Sequence, residues 1–109
     1  MDMPKETEQK IVQLQMLEQN LQNFLAQKQN VQSSLVEIES AMTELKTTDK
    51  SYKIIGNIMV AVDKNKLEND LTSKKEIMEL RIKTLEKQEE KLKEKAKSLQ
   101  QEVLEKMEK

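Results

Sequence analysis

The stretch "SYKIIGNIMVAVDK", Ser51 to Lys64, decides how the rest of the chain is read. It holds the only Gly, Gly56, and the only Tyr, Tyr52, of the 109 residues. Two β-prone runs, "SYKII" and "IMVAV", stand on either side of a two-residue Gly-Asn step. Glycine at the first loop position suits a tight hairpin turn. Alternation then puts Ile55, Ile58, Val60 and Val62 on one face and Tyr52, Ile54, Met59 and Ala61 on the other. Both faces are largely apolar. A lone two-stranded hairpin is marginal in water even with one face covered, and this one leaves two unpaired edges. The sequence offers no other strand. The stretch therefore predicts an assembly module whose partner strands come from other subunits. Its contact residues are Tyr52, Ile54, Ile55, Ile58, Met59, Val60 and Val62.

On both sides the composition changes character. Glu, Lys, Gln, Leu and Met dominate, all good helix formers. Hydrophobic residues make up 36% of the chain, charged residues another 36%, and there is one Phe and no Trp. Large side chains to fill a globular core are missing, and the mix reads as long helices or coiled coil. Helix is expected over about 5–46 and 64–107, flanking a hairpin over about 52–62, all within one domain, 1–109. "TTDKS", Thr47 to Ser51, ends the first helix with poor helix formers. Asp63 or Asn65 caps the second, and Asn65 has Glu68 three residues on.

Several chemistries are excluded by what is missing. With no His and no Cys, zinc sites, thiol nucleophiles and imidazole bases fall away. One Gly cannot build a phosphate-cradling loop. Glu86, Glu89 and Glu90 lack the His three residues on that a di-metal bundle uses. The expectation is no enzyme, no metal and no cofactor. No N-terminal apolar run resembles a signal peptide, and no apolar stretch approaches the ~20 residues that span a bilayer. That predicts a soluble, intracellular protein without a membrane partner. Charges are interleaved in sign, as in "EKQEEKLKEKAK", Glu86 to Lys97. A nucleic-acid binder would show a basic stripe; the run is read as a solvated helix face.

Periodicity places the helix contacts. In the first segment Leu14, Leu17, Leu21, Phe24, Lys28, Val31, Leu35, Ile38, Met42 and Leu45 alternate in steps of three and four. Only Lys28 breaks this heptad seam. In the second, Leu71, Lys75, Met78, Ile82, Leu85, Glu89, Leu92, Ala96, Leu99 and Val103 follow the same spacing. Ile77 and Leu80 fall outside it. A short connector folds such helices back antiparallel. Layers then run from Met42 on Leu71, through Leu35 on Met78 and Val31 on Ile82, to Lys28 on Leu85, Phe24 on Glu89 and Leu14 on Leu99. Lys28 and Glu89 fall in adjacent layers. They either pair and fix the register or snorkel separately to water. Each arm is roughly 60 Å long at 1.5 Å per residue.

Beyond Leu14 and Leu99 the layers become Lys10 with Val103 and Thr7 with Lys106, which predicts poor packing and frayed ends. Ile11, Val12, Met16, Val103, Leu104 and Met107 nevertheless keep the tip apolar. Read plainly, they are scattered surface hydrophobics. Read functionally, they form an adaptable apolar tip that binds many sequences.

Arm, single hairpin and arm together resemble the β-class subunit of prefoldin, a chaperone family, over nearly the whole chain. The most specific part is "YKIIGNIMVAVDKNKLENDL", Tyr52 to Leu71, and "LRIKTLEKQEEKLKEK", Leu80 to Lys95, is also similar to the family's second helix. Asn65 stands where family members often carry an acid. One hairpin, rather than two, points to the β class. The resemblance implies a mainly α fold, a long antiparallel two-helix coiled coil whose hairpin joins an oligomeric β-barrel. It further implies two α-class and four β-class subunits in a hexamer, and unfolded clients held at the tips without ATP. Delivery to a group II chaperonin and a cytoplasmic location follow from the same resemblance. The rival reading is a structural or scaffold coiled coil, which would share the heptads but would not need the hairpin.

Overall fold

The structure is a computed structural model and describes residues 4–107. Its elements follow in the order α1 (Lys5–Leu45), β1 (Ser51–Ile55), β2 (Ile58–Val62) and α2 (Lys64–Met107). The fold is mainly α, an antiparallel pair of long helices carrying one central hairpin. Contacts divide it into two compact units: residues up to Gln29 with those from Lys83, and Asn30–Ile82.

The first turn of α1 starts on the Pro4 carbonyl, which accepts from the Thr7 and Glu8 amides. Proline suits this place because it has no N–H to leave unsatisfied. At the other end Lys46 and Thr47 turn back onto the Thr43 and Glu44 carbonyls, and the Thr47 hydroxyl also donates to Glu44 O at 2.7 Å. Asp63 holds the cap position of α2, its carbonyl accepting from Leu67 N–H at 3.0 Å. Asn65 therefore lies inside the first turn.

Burial follows the heptads. Every seam position from Leu14 to Leu45 and from Leu71 to Val103 is buried or half-buried. In the unit Asn30–Ile82 the core is Val31 and Leu45, and the Lys75 ammonium reaches Glu39 at 3.9 Å. In the other unit the core is Leu85, Ala96 and Val103, tied across by Lys28–Glu89, Lys10–Glu102 and Glu6–Lys106. Each ion pair joins a seam residue to its expected opposite or to an immediate neighbour of that opposite, or, for Lys28 and Glu89, bridges adjacent layers. The register is thus the expected one. Buried aliphatic side chains of this kind contribute about 1.5–3 kcal/mol each.

Candidate assembly and binding surfaces

In the hairpin, Ser51 pairs with Val62, Tyr52 with Ala61, Lys53 with Val60, Ile54 with Met59 and Ile55 with Ile58. Gly56 has φ +60° and no other described residue has positive φ, the pattern of a type II′ turn with Gly first. Its twist matches that of the strands it joins. Strand β1 begins one residue earlier than expected, at Ser51, whose hydroxyl donates to Val62 O at 2.8 Å and closes the open end of the ladder.

Paired residues share a face, so the expected division holds. Ile55, Ile58, Val60 and Val62 lie on one side, Tyr52, Ile54, Met59 and Ala61 on the other. Both sides are open. Ile54 is 70% exposed, and Ile55, Ile58, Met59 and Tyr52 are all more than half exposed. Val60 is 39% exposed and Val62 half-buried. The sheet has two strands, so each strand keeps one unpaired edge. Such a cluster with open edges is the kind of surface that marks an interaction site.

The tip differs from the frayed pair of ends expected. Helix α1 is continuous from Lys5 and α2 runs to Met107. Val103 is buried in the seam and Ile11 half-buried, whereas Val12, Met16, Leu104 and Met107 are each more than half exposed. The layers that should have packed badly are closed by charge instead. Lys10 forms an ion pair across to Glu102 and Lys106 donates to Glu6, both at 3.0 Å. Thr7, between them, is buried, and its hydroxyl has no partner. The Lys106 ammonium, bonded to Glu6 and beside its charge, holds that carboxyl below the usual carboxylate range, and Lys10 adds to the effect. The heptad frame had placed Thr7 opposite Lys106. The acid one residue back, Glu6, was the available signal for a closed end.

Around the tip the exposed residues open on neighbouring depressions. Met16 lines a groove of about 360 Å³ with Leu17 and Leu99 at its apolar side and Gln13, Asn20 and Lys95 around it. Val12 lines an adjacent depression with Lys5, Glu8, Gln9 and Gln13. Gln13 is shared by both. Leu104 and Met107 lie outside them.

Farther from the tip, Lys28 Nζ lies 3.2 Å from Glu89 Oε2, and Lys93 approaches the other carboxylate oxygen at 3.7 Å. Of the two sequence alternatives, the charges pair. Among the described residues no group of acids could hold a metal ion, and no helix is long and apolar enough to cross a membrane.

Comparison with known proteins places this architecture. The prefoldin subunit family matches residues 8–109. The prefoldin β subunit of Archaeoglobus fulgidus is 40% identical over 105 residues, covering 94% of this chain and 90% of that protein. The one from Sulfolobus acidocaldarius is 37% identical over 93 residues, covering 83% and 74%. The crystal structure of the prefoldin β subunit from Thermococcus strain KS-1 superimposes with a TM-score of 0.84 at 35% identity, over 94% of this chain and 92% of that one. Heptads alone would match many coiled coils, but these matches run through the hairpin and both arms. The chain belongs to the prefoldin subunit family, in its β class, a family of non-enzymatic chaperone subunits.

Proposed function

We propose that this chain is a cytoplasmic holding-chaperone subunit that assembles through its hairpin and captures unfolded proteins at its arm tips without ATP. The hairpin carries the reading. Five of its large side chains are more than half exposed on a two-stranded sheet with open edges, an arrangement that water alone does not stabilise. Strands from other subunits would cover both faces and pair both edges. Membership of the prefoldin family supports assembly with other prefoldin subunits; the partners in this proposal are α-class subunits and further β-class copies, in an α2β4 hexamer. The recipient of the client, in the same proposal, is a group II chaperonin.

At the tip, the proposed grip is centred on the exposed Val12, Met16, Leu104 and Met107. Ile11 and Val103 lie in or beside the seam below them. Methionine and aliphatic groups around shallow depressions fit many extended apolar segments without selecting one sequence. Mixing the chain with an α-class subunit and measuring the mass in solution tests assembly. Suppression of aggregation of a denatured model protein, without nucleotide, tests holding. A two-helix monomer that protects no client would return the chain to the scaffold reading.

A further inference from the structure

Ile77 and Leu80, which the seam leaves out, are 65% and 66% exposed on α2. Lys74, Ile77 and Arg81 recur at i, i+3 and i+7, on one face of the helix. Neither Lys74 nor Arg81 forms an ion pair with another described residue. The face is therefore an apolar ridge flanked by two cations outside any ion pair among the described residues, with Asp70 four residues before Lys74 as the one acid on the same side.

Helix α1 offers the converse within the same unit. Between Asn30 and Leu45 it carries Glu37, Glu39 and Glu44 and no Lys or Arg. Val36, 62% exposed, lines a shallow depression of about 270 Å³ with Glu39, Ser40, Thr43 and Glu44. Ridge and depression also stand level. The Glu39–Lys75 ion pair fixes the relative height of the two helices. From it, Val36 lies three residues back along α1 and Ile77 two residues on along α2. Because the helices are antiparallel, both steps lead away from the hairpin and differ by one residue, about 1.5 Å.

We infer that this face is a docking surface for a second copy of the chain, the Ile77 ridge of one copy entering the Val36 depression of the next. Charge complementarity supports that occupant, with Lys74 and Arg81 approaching Glu44 and the Glu39 carboxylate, which its own chain engages only through Lys75 at 3.9 Å. Height supports it as well, since copies standing side by side meet without an axial shift. The hairpin belongs to the same compact unit, so copies joined there bring these faces together. The contact is head-to-tail, with different surfaces on its two sides, and joins β-class copies that the hairpins set side by side. This inference rests on the proposed hairpin assembly.

The chain has no cysteine, so engineered thiols report without interference. Val36→Cys chains are mixed with Ile77→Cys chains, assembled with an α-class subunit, sized, and treated with a short bismaleimide. The expected result is a full-size assembly and a Val36-to-Ile77 cross-linked dimer. Glu79→Cys, on the other flank of α2, should give at least several-fold less product. Full-size assembly with equal yields from Ile77→Cys and Glu79→Cys, or with no product, overturns the docking surface and leaves the hairpin reading standing. Failure of parent and variants alike to assemble overturns both.

Discussion

The Lys28 ammonium and the Glu89 carboxylate meet across the helix seam at 3.2 Å, with side chains only 20% and 13% exposed. They sit where apolar side chains would otherwise continue the heptads. Removing one member leaves the other short of a partner in a half-dry site, between the strong penalty of a buried orphan and the near-zero cost of an exposed one. Lys28→Leu or Glu89→Leu alone should cost about 1–2 kcal/mol in urea unfolding. The double Leu variant should recover most of that loss. It should also relax the register. Leu14→Cys with Leu99→Cys should cross-link less selectively over neighbouring rungs than in the parent. An unchanged cross-linking pattern removes the register role while leaving the stability effect to be explained by packing.

Among the described residues Gly56 is the one position with positive φ, at +60°. A Cβ there would meet nothing within 4 Å, so any cost of Gly56→Ala comes from the backbone. Left-handed geometry costs an L residue roughly 1–2 kcal/mol. Gly56→Ala should therefore weaken assembly by about tenfold while leaving the helical circular-dichroism signal intact. Gly56→Asn should be milder, because Asn tolerates this region better. Equal effects of Ala and Asn would point to a lost contact rather than to backbone strain.

Ile58 and Val60 share one hairpin face, opposite Ile55 and Lys53. Changing both to Lys puts two charges where partner strands are proposed to cover apolar surface. Each buried, unpaired charge costs several kcal/mol, more than a pair of five-residue strands contributes. The arms should stay helical, since their seam lies outside the strands. Mass measurement should find no hexamer. A variant that still assembles fully sinks the barrel role of the hairpin.

How far the sequence could be read depended on whether one rule dominated locally. The seam was legible because steps of three and four leave one choice of face, and the hairpin because Gly56 stands alone between two β-prone runs. Lys28 with Glu89 was legible as a position but not as an outcome, since pairing and snorkelling satisfy the same spacing. The tip was misread for a different reason. Judged by apolarity alone, the layers that hold Lys10 and Thr7 look unable to pack. In the structure Glu102 and Glu6, each one step from the seam, supply charge that closes those layers. Val103, a seam position by its spacing, is buried next to those closed layers.

Glu6 gives the tip a dependence on acidity. Its folded pKa is lowered by the Lys106 hydrogen bond and charge, so its ion pair stabilises the native tip above the unfolded carboxylate pKa. That contribution is lost as the pH falls through the folded value, below about 4.5, the unperturbed carboxylate pKa. The parent and Glu6→Gln should differ in hydrogen-exchange protection of the terminal turns at pH 7. They should converge in acid, when compared pH by pH to cancel the intrinsic rate. A difference that persists unchanged at pH 3 means the ion pair is not its source.

The proposed client grip can be separated from the seam beneath it. Val12, Met16, Leu104 and Met107 are each more than half exposed, while Val103 is 8% exposed. Changing the four exposed residues to Ser removes apolar surface from solvent-facing positions, where substitutions usually stay within about 0.5 kcal/mol each. Helix content and hexamer mass should be preserved. Protection of a denatured model client should drop sharply, at least several-fold in the chaperone concentration needed. Val103→Ser works differently. It puts a hydroxyl and a small cavity into the seam, which should cost about 1–3 kcal/mol in unfolding, with loss of client protection following the loss of tip structure. The two variants thus separate surface from support. If the four-residue variant protects the client as well as the parent does, at equal hexamer concentration, the exposed tip side chains are not the grip and holding must lie elsewhere on the arms.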